Sequence, residues 1–139
     1  MNILFLCVAN SARSQMAEGL AKSMLGSEHN IQSAGSMPSG EVHLNAVKAM
    51  DDIGIDIRDQ CSKSIEDLDE IFLSNLDYAI TLCAEEICPV LNTTSKKLHW
   101  INLDPANNRF DPIEMDDAFI RTRNDLYRLI KKFFVEVVD

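Results

Sequence analysis

The sequence predicts an α/β fold, a four-stranded parallel sheet flanked by helices on both faces, and three observations carry that prediction. Asn2 to Cys7 is a continuous apolar run, short apolar runs alternate with segments of helical spacing, and the closing segment carries one long amphipathic stripe. A strand covered by helices on both faces must be apolar throughout, and strands alternating with helices are the mark of a parallel sheet. Taking the elements in order, Met16, Ala17, Leu20, Ala21, Met24 and Leu25 recur at i, i+3 and i+4 and predict a helix ended by Gly26. Asn30 to Ala34 is a short strand. Leu44, Val47, Met50 and Ile53 predict a second helix stopped by Gly54, and Ser64 to Phe72 a third, with Ser64 or Asp67 able to cap it. Tyr78 to Leu82 and Lys97 to Ile101 supply the last two strands. Phe119, Ile120, Leu126, Leu129, Ile130, Phe133, Phe134 and Val137 form the stripe of a long final helix that must pack on the sheet.

At 139 residues the chain is expected to form one domain, residues 1–139, with no internal repeat and no linker; the Ser33 to Gly40 cluster is a single loop. Its formal net charge of −9 is poorly suited to nucleic acid or anionic lipid, so neither is expected as a partner. The longest wholly apolar stretch, Ile3 to Ala9, falls far short of the roughly 20 residues that span a membrane. Met1-Asn2 carries no basic side chain and no cleavage pattern follows, so the expected location is the cytoplasm and the expected state a monomer. There Cys7, Cys61, Cys83 and Cys88 would persist as thiols, used for packing, metal binding or chemistry.

Ligands of parallel sheets bind beyond the carboxyl ends of the strands. The first such loop reads Cys7-Val8-Ala9-Asn10-Ser11-Ala12-Arg13-Ser14, a C-x5-R-S pattern between a strand and a helix. Small residues there let successive backbone N–H groups converge, and the helix N-terminus adds positive potential, so a tetrahedral oxyanion has a ready cradle. Arg13 would grip two oxygens of such an anion with its planar fork. The same field favours the thiolate of a cysteine placed at the mouth, which makes Cys7 the candidate nucleophile. Asn10 and Ser14 could hold the loop or donate to the Cys7 sulfur. The plainer reading is a buried strand cysteine beside a surface arginine.

Displacing an oxygen from an oxyanion requires a proton donor to the leaving group. Asp104, in Leu103-Asp104-Pro105-Ala106 just beyond a predicted strand, is the candidate, and Asp111-Pro112 competes on local pattern. Either aspartate could instead be a loop or helix cap. Cys83 and Cys88 stand in LCAEEICP, a spacing wider than zinc pairs favour and without a second ligand pair, so no metal is expected. In one continuous helix their Cα atoms would lie about 7.5 Å apart along the axis, beyond the roughly 4.4–6.8 Å of a disulfide. A bond between them needs a looped or unwound segment, and Pro89 already biases Cys88 away from helical geometry.

CVANSARSQMAEG, SAG at Ser33 to Gly35, NAVKAM at Asn45 to Met50, GIDI at Gly54 to Ile57, TLC at Thr81 to Cys83, Cys88-Pro89, and HW followed by DPA at Asp104 to Ala106 extend over nearly the whole chain. In these motifs it resembles the thioredoxin-coupled arsenate reductases, which are built on the low-molecular-weight protein tyrosine phosphatase scaffold. The resemblance implies that fold, with residues Cys7, Val8, Ala9, Asn10, Ser11, Ala12, Arg13 and Ser14 as the anion site, and it selects Asp104 over Asp111 as the acid. It also implies a relay without a resident cofactor. Cys7 attacks arsenic, Cys83 attacks Cys7 and releases arsenite, and Cys88 attacks Cys83 to leave a disulfide that thioredoxin reduces. Two features depart from the family. Four residues separate Cys83 from Cys88 where the family usually has six, which leaves glutathione or glutaredoxin as the alternative reductant. Ala12 stands where many relatives carry another cysteine, and Cys61 matches no redox position and reads as a structural thiol.

Two other functions fit parts of the sequence. A tyrosine phosphatase would use Cys7, Arg13 and Asp104 through a phosphocysteine, but it gives Cys83 and Cys88 no work, and Ala106 and Asn107 stand where aromatic walls would be expected. A non-catalytic thiol module could bind arsenite or a soft metal through Cys7, Cys83 and Cys88, but the chain offers no effector domain to receive its signal.

Overall fold

A computed structural model of the chain describes residues 1–84, 91 and 94–138. Strand β1 (Asn2–Cys7) leads into helix α1 (Arg13–Leu25), followed by β2 (Asn30–Gly35), α2 (Leu44–Asp51), α3 (Glu70–Ser74), β3 (Tyr78–Thr81), β4 (Lys96–His99) and α4 (Pro112–Phe133). The four strands form one sheet in the order β2-β1-β3-β4, and every pairing is parallel. The chain steps from β1 to β2 on one side and returns to β3 on the other. The carboxyl end of β1 is therefore the point where strand order reverses, the place such sheets use for ligands.

Alternate residues of β1 divide the core in two. Ile3 and Phe5 join Ile31, Ile80 and Leu82 under α1, α2 and α4, through Met16, Leu20, Ala46, Met50, Phe119, Leu126 and Ile130. Leu4 and Leu6 join Ala34 and Ala79 on the other face, against Leu68, Phe72 and Leu76. Burial on both faces is what made β1 and the centre of β3 wholly apolar, as parallel strands require. Trp100 stacks near Phe5 and Phe133, each at 6.1 Å between ring centres, and Phe133 meets Tyr78 edge-on at 5.0 Å. β4 is an edge strand, with exposed Lys96, Lys97 and His99, and charges of this kind oppose pairing with another edge.

Three predicted elements differ in detail. The stripe assigned to α2 is displaced: Ala46, Ala49 and Met50 face the core, whereas Leu44 is 81% and Ile53 43% exposed. In so short a helix small residues make the close contact with the body of the protein, and the large residues at its ends lie beyond it. Ser64 to Phe72 is not one helix. A 3-10 turn at Ile65–Asp67, closed by reciprocal hydrogen bonds between Ser64 and Asp67, ends at Leu68, which turns extended before Asp69 caps α3. The chain breaks there so that Leu68 and Phe72 can both enter the core. The fourth strand ends at His99, because the hydrogen bonding beyond it changes spacing: Trp100 N donates to Thr81 O and Asn102 N to Leu82 O.

Candidate functional site

The loop after β1 is held from outside by its carbonyls. Val8 O accepts from Met37 N, Ala9 O from Ser39 N and the Ser62 hydroxyl, and Ser11 O from His43 N. Among the described residues no acceptor faces the N–H groups of Ala9, Ser11, Ala12 or Ser14. The helix that follows starts at Ala12 without a side-chain cap. Carbonyls turned outward and amides left over at an uncapped helix N-terminus form a concavity of the kind that can hold an anion. Close approach of β2 completes it. A Cβ on Gly35, which pairs with Cys7, would lie 2.3 Å from Val8 O, so only glycine lets the loop fold back at this position.

Inside the loop a polar chain runs from Glu18 to the Cys7 sulfur. Asn10 sits in left-handed backbone geometry at φ 48°, a conformation that asparagine tolerates better than most residues. Its Oδ1 accepts from Lys63 N at 2.9 Å and Gln15 Nε2 at 3.0 Å, and the backbone donor fixes which end of the amide is oxygen. Asn10 Nδ2 therefore donates to Ser14 Oγ at 2.7 Å and Ser33 Oγ at 3.0 Å, and Ser33 Oγ donates to Glu18 Oε1 at 2.6 Å. Ser14 Oγ, already an acceptor, turns its proton to Cys7 Sγ at 2.9 Å, and Asn10 N donates to the same sulfur at 3.2 Å. Asn10, Ser14, Gln15 and Ser33 are wholly buried, and Lys22 pairs with Glu18 at 2.5 Å. In a low-dielectric interior such a network is rigid when every member is satisfied.

Cys7 and Arg13 are both buried, 2% and 4% exposed. Arg13 heads α1, and its Nη1 donates to Asn102 O at 2.9 Å. That bond ties the anion loop to the segment carrying Asp104 two residues further on. Asp104 is exposed, its Oδ1 accepts from Ala106 N at 3.0 Å, and it lines a groove of about 500 Å³ with Ala84, Asn107, Arg109 and Phe110. Its rival Asp111 is a helix cap. It accepts from Glu114 N at 2.8 Å while Glu114 reaches back to Asp111 N, and Pro112 opens α4.

Cys83 is buried just beyond β3 and is disulfide-bonded. Leu6 pairs with Thr81, and Leu82 N donates to Leu6 O, which brings Cys83 level with Val8 on the neighbouring strand. Strand spacing and rise put the Cys7 and Cys83 Cα atoms roughly 6 Å apart. Cys88 and the acidic Glu85 and Glu86 lie outside the described residues. Cys61 is a free thiol that is exposed rather than packed, and its carbonyl accepts from Gln15 Nε2 at 2.9 Å. It lines a groove of about 820 Å³ with Ser11, His43, Arg58 and Ser62. There the hydrogen-bonded Arg58 guanidinium holds the exposed Asp56 carboxyl below the usual carboxylate range. Among the described residues no cluster of three or more histidine, cysteine or acidic side chains is arranged for a metal, and no helix is long and apolar enough to cross a membrane.

The structure thus brings together Cys7, Asn10, Arg13 and Ser14, and links Asp104 to them through Asn102. Gln15, Ser62, Lys63, Asn102 and Gln60, whose Nε2 donates to Gln15 O and Oε1 at 2.9 Å each, carry no signal in the sequence. They act mostly through backbone atoms or as bracing amides, for which no motif exists. Ser33 was visible only within the SAG motif.

Known proteins match this arrangement closely. An arsenate reductase of Bacillus licheniformis is 45% identical over 133 residues, covering 94% of this chain and 93% of the relative, and one of Halalkalibacterium halodurans is 43% identical over the same shares. The solved structure of an arsenate reductase in its reduced state superposes with a TM-score of 0.76 at 27% identity, covering 97% of each chain. The thioredoxin-dependent arsenate reductase of Corynebacterium glutamicum superposes at 0.68 and 25% identity, over 96% of this chain and 62% of that one. The sequence profile described as low molecular weight phosphotyrosine protein phosphatase matches residues 2–138, and to that family this chain belongs.

Proposed function

We propose that this protein reduces arsenate to arsenite, with Cys7 as nucleophile and Cys83 and Cys88 as the source of electrons. The observation that carries the reading is a disulfide-bonded Cys83 beside the loop that follows β1. The loop alone would serve phosphate or arsenate equally, since the two ions share shape and charge, whereas a disulfide-bonded Cys83 one strand away from Cys7 has no part in phosphate ester hydrolysis. The names borne by relatives at 43–45% identity support it.

In this reading the amides of Ala9, Ser11, Ala12 and Ser14 and the Arg13 guanidinium hold the arsenate oxygens. Donors placed in advance where charge develops give the largest single gain in such reactions. Cys7 Sγ attacks arsenic, and Asp104 protonates the departing oxygen, leaving a Cys7–arsenic(V) adduct and water. Cys83 then attacks Cys7 Sγ. The new S–S bond forms as the S–As bond breaks, its electron pair stays on arsenic, and arsenite leaves. Attack by Cys88 on Cys83 frees Cys7 and leaves the disulfide for an external dithiol. Strand alternation directs Cys7 and Cys83 to opposite faces of the sheet, so residues 82–84 must turn over its carboxyl end during the second step. Thioredoxin is the reductant, as the name of the Corynebacterium glutamicum structure states for that protein. No resident cofactor or metal enters the scheme.

The test supplies thioredoxin, thioredoxin reductase and NADPH and follows NADPH oxidation on adding arsenate. The expected result is arsenate-dependent oxidation that phosphate inhibits, with para-nitrophenyl phosphate hydrolysed far more slowly. Brisk ester hydrolysis with no arsenate-dependent oxidation would favour the phosphatase instead.

A further inference from the structure

We infer that His99 is the proton acceptor for Cys83 in the thiol relay, an inference that rests on the arsenate-reducing reading. His99 closes β4 directly opposite Thr81 of β3. Its Nδ1 lies 2.5 Å from Thr81 Oγ1, and the Thr81 hydroxyl donates to Leu98 O at 3.3 Å. The Thr81 hydroxyl can donate to either partner; we assign the tautomer in which it donates to Leu98 O and accepts from the ring, so that the Nδ1 of His99 carries the hydrogen. Nε2 is then the basic nitrogen, and among the described residues nothing donates to it. An imidazole held by one nitrogen and open at the other is the arrangement of a general base with its orienting partner.

What that nitrogen can reach follows from the register. Residues two apart on a strand share a face, so Cys83 follows Thr81 on the face that His99 occupies. Leu82, between them, enters the opposite core layer as alternation requires. Cys83 is thus the diagonal neighbour of His99, roughly 8 Å away between Cα atoms by strand spacing and rise, a separation that an aromatic side chain spans. Among the described residues, Lys97 shares this face of β4 and Cys83 follows β3 on it; Asp77 lies at the opposite end of β3, and the segment packed against this face carries Glu66, Asp67, Asp69 and Glu70.

A neutral thiol is a poor nucleophile, and the second step of the relay needs Cys83 as thiolate. The proton leaves Cys83 Sγ for His99 Nε2, and the sulfur anion crosses to attack Cys7 Sγ. The S–S bond forms, the S–As bond breaks, and arsenic is reduced from the pentavalent to the trivalent state while the two sulfurs are oxidised. When the final disulfide is opened by the external dithiol, the imidazolium returns the proton.

The experiment measures arsenite release in a single turnover by pre-reduced full-length protein without added reductant, from pH 6 to pH 9. The expected wild-type rate falls on acidification. His99→Ala should be slower by about 100-fold near neutral pH, should approach wild type near pH 9 where a thiol ionises unaided, and should be partly rescued by added imidazole. Protection of Cys7 from alkylation by arsenate should be unchanged in the variant, since the first step does not use His99. Thr81→Val, which removes only the orienting hydroxyl, should lose about tenfold with the same convergence at high pH. Equal rates for wild type and both variants at every pH would overturn the inference alone, as would a deficit that neither pH nor imidazole repairs. Failure of the wild type itself to release arsenite would instead overturn the arsenate-reducing reading.

Discussion

Cys7→Ser should release no arsenite while still binding arsenate. The serine hydroxyl fits beside Ser14 Oγ and Asn10 N, so the loop keeps its shape, and the amides and Arg13 remain to hold the anion. What disappears is a polarisable sulfur that can bond arsenic and then pass on its electron pair, and an alcohol near neutral pH supplies neither property. Single-turnover arsenite release should fall at least about 10⁴-fold, to the uncatalysed background. Arsenate affinity measured by calorimetry should change little. Undiminished release from Cys7→Ser would place the nucleophile elsewhere.

Arg13→Lys should come next in severity. In the proposed reaction the guanidinium has two tasks from its buried position at the head of α1: it binds the anion, and through Nη1 it holds Asn102 O and with it the segment that carries Asp104. Lysine keeps the charge but is a point donor without the planar fork, and it cannot serve both partners. Loss of one preorganised donor commonly costs about 10²–10³-fold in rate, and kcat/KM for arsenate should fall by that amount, with KM rising as well as kcat falling. Thermal unfolding measured alongside separates this from loss of fold. A fall in kcat/KM of less than threefold would mean that arginine contributes charge alone.

Much of the architecture was legible because burial leaves a composition signature. Residues 2–7 had to be a central strand, since Leu4 and Phe5 face different layers and both are buried. α4 was equally plain from its repeat. The errors fell where side-chain spacing is a weak guide. Leu44 and Ile53 looked like core because they are large, but Ala46 and Ala49 are the residues small enough to lie against the body of the protein. Two Asp-Pro pairs were equivalent on pattern, and only the hydrogen bonds to Glu114 identify Asp111 as a cap. The site was legible in its chemistry and hidden in its support. Cys7, Arg13 and Ser14 follow from motif spacing, but the bracing of Asn10 by Lys63 N and of Ala9 O by Ser62 joins parts of the chain 53 residues apart. Backbone atoms make half of those contacts, and they leave no mark on residue type. The same reason hid Asn102, whose carbonyl rather than its side chain meets Arg13.

The proposed reduction draws its electrons from the protein's own sulfurs. Reduced protein freed of small thiols and mixed with excess arsenate should yield one arsenite per chain, with two of its four thiols lost, and peptide mapping should join Cys83 to Cys88 while Cys7 remains alkylatable. No arsenite until glutathione is added, with all four thiols retained beforehand, would contradict it.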